Sequence, residues 1–98
     1  MDYRSIADNG IVDYEIGTIL VDYSNGSIHM KLKTPKLISA VLEIINFEEI
    51  NINRKEPWGT GIYVTASEIK YDANKIIAEI QLNSGDLLKI VIRNDISV

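Results

Sequence analysis

The chain has no cysteine, one histidine, two prolines and one tryptophan among its 98 residues. Without cysteine there is no disulfide and no thiol nucleophile, and a metal would have to be held by His, Asp or Glu. With His29 as the only imidazole, a zinc site is not expected. Long apolar runs are missing too. Stretches such as Ala40-Val41-Leu42 fall far short of the ~20 residues that cross a bilayer. The start, MDYRSIADNG, lacks the basic and apolar regions of a secretory signal, so a cytoplasmic protein without membrane contact is expected. Glycine-rich phosphate loops and dinucleotide fingerprints are absent, the short GTG at 59–61 being neither. No cofactor is implied.

Basic charge is also scarce. The net charge is −4, and the imbalance sits in residues 1–30, where Asp2, Asp8, Asp13, Glu15 and Asp22 face Arg4 alone. Nucleic-acid binding draws its affinity from Lys and Arg neutralising phosphates, so this balance argues against it. It suits a basic protein partner.

What is present is β-branched. Hydrophobic residues make up 46% of the chain and isoleucine is abundant, a side chain stiff at χ1 that fits a pleated surface. Turn chemistry then divides the chain. In ILVDYSNGSIHMKL, apolar residues occupy odd positions before Asn25-Gly26 and even positions after it, which requires an even-numbered loop. A two-residue type I′ turn at Asn25-Gly26 would pair Tyr23 with Ile28, Val21 with Met30 and Ile19 with Leu32. Parity sends His29 to the face opposite the core.

In KIIAEIQLNSGDLLKIVIRN both arms are even, so the loop must be odd. Asn83-Ser84-Gly85, with Gly85 in the left-handed position of a G1 bulge, pairs Ile80 with Leu88, Ala78 with Ile90 and Ile76 with Ile92. Upstream, Ala73-Asn74 would set Tyr71 against Ile76 and Ile69 against Ala78, or the loop is longer, since Ala is a poor choice for positive φ. The apolar phase changes from Val12, Tyr14 and Ile16 to Ile19, Val21 and Tyr23, and Gly17 at the switch suggests a bulge.

The middle admits two readings. Thr34 capping Pro35 would start a short helix near 35–46, while the alternation of Leu42, Ile44, Ile50 and Ile52 favours a strand from about 41 to 53, bent near Phe47. The expected fold is a single all-β domain over 1–98, an antiparallel meander of about seven to nine short strands, packed as a sandwich or small barrel.

Catalytic constellations are thin. Asp13 and Glu15, two apart, would share a strand face; Glu48 and Glu49, adjacent, would point to opposite faces. Serines at 5, 39 and 67 have one histidine between them, so a triad is not expected and the chain reads as no enzyme. The segment NRKEPWGTGIY breaks the strand rhythm and carries Trp58 and Gly59 beside Arg54. Trp58 either folds back to plug one end of the core or, exposed, becomes a partner contact. The candidate binding residues are therefore Trp58, Gly59 and Arg54, with Asp13, Glu15 and Asp22 as an acidic surface.

Three stretches, DYEIGTILVDYSNGSIHMKL, LEIINFEEINI followed by PWGTGIYV, and AEIQLNSGDLLKIVIRNDISV, together resemble a group of small all-β bacterial proteins, some of them immunity proteins of polymorphic toxin systems. Trp58, Gly59, Ser84 and Gly85 correspond most directly, whereas Val12 stands where some members carry a histidine before the aspartate. The resemblance implies a protein that neutralises a toxin, here a basic one met by the acidic surface. The alternative is an accessory domain that self-associates through a sheet edge or the Trp58 loop.

Overall fold

The computed structural model describes residues 1–55 and 62–94. It contains two antiparallel sheets facing each other across one core, with a short 3-10 helix, Tyr3–Asn9, at the start. The first sheet is a three-stranded meander of β1 (Glu15–Asp22), β2 (Ser27–Lys33) and β3 (Ser39–Ile45). The second holds β4 (Phe47–Ile52), β5 (Val64–Asp72), β6 (Lys75–Leu82) and β7 (Leu87–Arg93) in the order β4-β7-β6-β5. Hairpins join β5, β6 and β7, and β4 lies beside β7, which is a Greek key. The chain between β4 and β5 thus connects opposite edges of this sheet.

Alternation builds the core. Ile28, Met30 and Leu32 from β2 and Leu42 and Ile44 from β3 point inward against Ile76, Ala78 and Ile80 from β6 and Leu88, Ile90 and Ile92 from β7. Burial of each such side chain is worth about 1.5–3 kcal/mol.

Two hairpins have the registers that side-chain parity demands. Ile80 pairs with Leu88, Ala78 with Ile90 and Ile76 with Ile92, and Gly85 has φ +91° in the turn. Tyr71 pairs with Ile76 and Ile69 with Ala78, and Ala73 takes the left-handed conformation, φ 53°, to close the loop. The first hairpin differs from expectation. Val21 pairs with Ile28 and Ile19 with Met30, so the loop is Tyr23-Ser24-Asn25-Gly26 rather than a two-residue turn. The cause is Asp22, whose carboxylate accepts from the backbone and side-chain N–H groups of Asn25 (3.3 and 2.8 Å) and from the Ser24 hydroxyl (3.1 Å). An Asp side chain that supplies its own turn competes with the tighter loop. The wider loop is still even, so inward and outward faces are kept.

At Gly17 the phase change is a bulge: three steps along β1 from Ile16 to Ile19 match two along β2 from Leu32 to Met30. Asp13 lies outside the strand, in a turn with φ 70°, so it does not share a strand face with Glu15. A second bulge, at Glu48, lets this residue reach Lys75 (3.2 Å) and Arg93 (3.7 Å) on the outer side, where Glu49 also points; the two glutamates do not diverge as a regular strand would require.

No helix forms over 35–46. Pro35 follows Thr34 in a turn in which the Leu37 N–H donates to the Thr34 carbonyl (2.8 Å) and the Ile38 N–H to Thr34 Oγ1 (3.2 Å), with Leu37 at φ 63°. Beyond it Ala40, Leu42 and Ile44 alternate into the core as β3. The strand reading holds, with the bend at Asn46, φ 59°, where the chain passes from one sheet to the other. There the Asn46 carbonyl accepts from the Arg93 N–H (2.9 Å) and the Phe47 N–H donates to Gly26 (3.1 Å), tying the sheets together. The opposite junction is a bridge of Glu15 with Tyr63.

Helical structure instead occupies the N-terminal segment, a kinked pair of 3-10 turns that buries Ile6 and is followed by the equally buried Ile11. Its polar groups cover a sheet edge, since Asn9 Oδ1 accepts from the Ser67 N–H of β5 (3.0 Å). Among the described residues no helix is long and apolar enough to cross a membrane.

Candidate binding surface

β1–β2–β3 register decides what lies on the outer face of the first sheet. Leu20, His29 and Glu43 stand in one cross-strand row, and Asp22, Ser27 and Ile45 in the next. Leu20 is 61% exposed and Ile45 59%, although each could have been polar without harm to the core. Between them His29 Nε2 and Glu43 Oε2 are 2.8 Å apart. Tyr23, in the adjoining loop, is 89% exposed. Towards the other end the bulge and the missing side chain at Gly17 leave a cleft of about 450 Å³ between Lys31, Lys33 and Val41.

This face offers an aromatic, two large aliphatic groups and two carboxylates within a few residues of one another. Exposed apolar groups ringed by charge are the composition of contact surfaces. Asp22 is kept ionised by its neighbours: the Asn25 side chain first, then the Asn25 backbone N–H and the Ser24 hydroxyl, hold its carboxyl below the usual aspartate range.

The sequence-derived candidates scatter. Glu15 and Asp22 sit at opposite ends of β1, and Asp13 in the turn before it. Glu15 is roughly 15 Å along the strand from the His29 row, so Asp13, Glu15 and His29 do not converge. Arg54 is exposed just past β4, beside a cleft of about 170 Å³ lined by Ile16, Ile52, Ile62 and Asp86. Trp58 and Gly59 lie outside the described residues.

The stems of their segment are fixed by a group that the sequence did not single out. Asp86, 6% exposed, accepts from the Lys55 N–H (3.0 Å) and the Ser84 hydroxyl (2.9 Å). Asn83 exchanges bonds with Tyr63, its N–H donating to the Tyr63 carbonyl (2.8 Å) and its Oδ1 accepting from the Tyr63 N–H (3.3 Å). The Asn83–Asp86 turn therefore holds both ends of the β4–β5 connection, a structural role for Ser84. Leu20, Tyr23, Glu43 and Ile45 were also passed over. The signal for Leu20 and Ile45 was an apolar residue off the core parity; Tyr23 reads as core parity, paired with Ile28, and Glu43 carries no signal.

Among the described residues no serine hydrogen-bonds to His29, whose partner is Glu43. Ser67 is 2% exposed on β5 and its Oγ has no hydrogen-bond partner. Beside it a cavity of about 220 Å³ is lined by Asn9, Glu68 and Glu79, whose carboxylates bind Lys70 (3.5 and 3.1 Å), while His29 lies in the other sheet. Among the described residues no three His, Asp or Glu side chains gather to hold a metal ion. No known protein family, curated protein or solved structure matches the chain.

Proposed function

We propose that this chain is a non-enzymatic, cytoplasmic protein-binding module of the immunity type, which neutralises a basic toxin by covering part of its surface. The observation that carries the reading is the outer face of the first sheet, where Tyr23, Leu20 and Ile45 stand exposed beside Asp22 and Glu43. Aromatic and aliphatic side chains of this kind supply the buried centre of an interface, and acidic neighbours steer and orient a basic partner. The toxin assignment itself comes from the sequence resemblance.

Basic secreted or co-encoded toxins specified next to this gene are the partners to test. Calorimetry and a protection assay should reveal a complex that Tyr23→Ala weakens at least tenfold and that rising salt also weakens, as for opposite charges. No complex and no protection with any of them would remove this reading.

A further inference from the structure

The longest stretch of sequence without an acid runs from Tyr23 to Leu42, between Asp22 and Glu43. It holds Lys31, Lys33 and Lys36, so a chain of net charge −4 carries +3 over its β2–β3 hairpin, His29 being counted neutral. All three lysines are exposed. Lys33 ends β2 and Lys36 stands in the turn that follows, with Lys31 about 7 Å behind Lys33 along the strand. At the tip Leu37 is 72% exposed and Ile38 61%. The turn is closed by its own bonds, the Thr34 N–H donating to the Ile38 carbonyl (2.9 Å) besides the two that Thr34 accepts, so a fixed loop presents both aliphatic groups. Leu37 is held at φ 63°, a conformation that glycine or asparagine takes at less cost, and its side chain is no part of the core.

We propose that this tip docks on an anionic membrane surface, Leu37 and Ile38 entering the boundary between headgroups and acyl chains and Lys31, Lys33 and Lys36 set against the lipid phosphates. Charge selects an anionic occupant, and shape selects a bilayer over an acidic protein. The apolar pair protrudes from a turn instead of lining a recess. The cations are lysines, point charges on flexible stems that suit a diffuse anionic surface. Apolar side chains and a basic cluster are the two signals that peripheral docking combines. Glu15 stands across from Lys33 on β1 and offsets part of its charge. Asp22 is farther off. It pairs with Ser27, at the other end of β2, about 20 Å or roughly two screening lengths from Lys33. Docking by the tip leaves the Asp22–Tyr23 end of the sheet turned away from the membrane, so it neither requires the function proposed above nor blocks it. The short apolar runs that exclude a crossing segment do not bear on docking from one side.

Flotation of the purified chain with vesicles tests it, phosphatidylcholine alone against phosphatidylcholine mixed with phosphatidylglycerol. Expected is binding to the mixed vesicles that falls as salt rises and is far weaker on phosphatidylcholine. Each lysine at such a surface is worth about fivefold, so Lys33→Gln combined with Lys36→Gln should weaken binding roughly 25-fold. Lys70→Gln, the same charge change on the second sheet, should leave it unchanged. Leu37→Asn, which suits the positive φ, should keep the fold by circular dichroism and lose about tenfold in affinity. Because the chain has no cysteine, Ile38→Cys can carry an environment-sensitive dye, whose emission should shift to the blue on the mixed vesicles. A chain that stays in solution with the mixed vesicles would direct the tip to an acidic protein and overturn the proposal. So would binding that Lys70→Gln weakens as much as the lysine pair does, or a dye that remains in water on bound vesicles.

Discussion

The two sheets share one core but treat their outer faces in opposite ways. On the second sheet Lys70 binds Glu68 and Glu79, and Glu48 binds Lys75 and Arg93, so that charged side chains run across β5, β6, β7 and the bulge of β4. On the same face Val91, on a central strand between Glu49 of β4 and Ile77 of β6, is only 7% exposed. On the first sheet the outer face holds Leu20, Val41 and Ile45, exposed on the edge strands, with one His29–Glu43 pair among them. A sheet that had only to stay folded could be finished like the second. The first retains apolar groups whose exposure does nothing for the core, and the proposed contact face rests on this difference.

Two isoleucines bring the comparison to its sharpest test. Ile90, fully buried between the sheets, should cost about 2–5 kcal/mol on Ile90→Ala, because the cavity left behind adds to the lost transfer energy. Ile45→Ala on the first outer face should change stability by no more than about 0.5 kcal/mol, as for an ordinary surface position. Urea unfolding of both variants decides it. A large loss from Ile45→Ala would mean that the outer face is structural.

Next in size is Asp86→Ala. Removing a buried carboxylate that satisfies the Lys55 N–H and the Ser84 hydroxyl should destabilise by about 1–3 kcal/mol. The effect belongs to the second sheet, so binding through Leu20 and Tyr23 should survive in the folded fraction. Loss of binding in proportion to anything other than folding would tie the β4–β5 connection to the contact face.

These two sheets also differ in how far the sequence disclosed them. Hairpin β6–β7 was legible residue by residue from Asn83-Ser84-Gly85, and in β5–β6 the pairing was legible but the loop length was not, because Ala73 is an unfavourable residue for the positive φ it adopts. In β1–β2 parity permitted a loop of two or four residues, and the choice fell to a side chain, Asp22, that pattern reading treats as merely polar. The stretch after Thr34 fits a helix start equally well until Ala40, Leu42 and Ile44 are matched to a sheet. Residues of the proposed contact face were least legible. Periodicity says which way Leu20 or Ile45 points, but not whether neighbouring strands flank it on both sides, as they flank Val91.

A smaller effect, of opposite sign, is expected at the β5–β6 turn. Ala73 holds φ 53°, which costs a residue with a Cβ roughly 1 kcal/mol, so Ala73→Gly should raise stability by up to that amount, less the entropy glycine adds to the unfolded chain. The gain should appear as a higher denaturation midpoint at unchanged slope. A loss instead would mean that the unfolded-state term outweighs the relief of strain.

The smallest difference between the sheets is in pH response. Asp22 has its carboxyl lowered from 3.8 by Asn25 and Ser24, so the folded loop favours the ionised form. Its contribution is complete above the unfolded value and is lost as pH falls below 3.8 towards the folded one. Lys70 is raised from 10.5, chiefly by Glu79 and then by Glu68, so what it adds is complete below 10.5 and lost above it. Both groups are solvated, and screening keeps either effect small in overall stability. Local probes should still separate them. The Asn25 and Gly26 amide resonances should move in acid, whereas the Lys70 ammonium should lose its proton only in strong alkali. Leu20 precedes the acid-sensitive loop and Tyr23 is its first residue, so an acid-induced change there should weaken partner binding before the second sheet loosens; binding that fell only with global unfolding would mean that the Asp22 loop does not shape the proposed contact face.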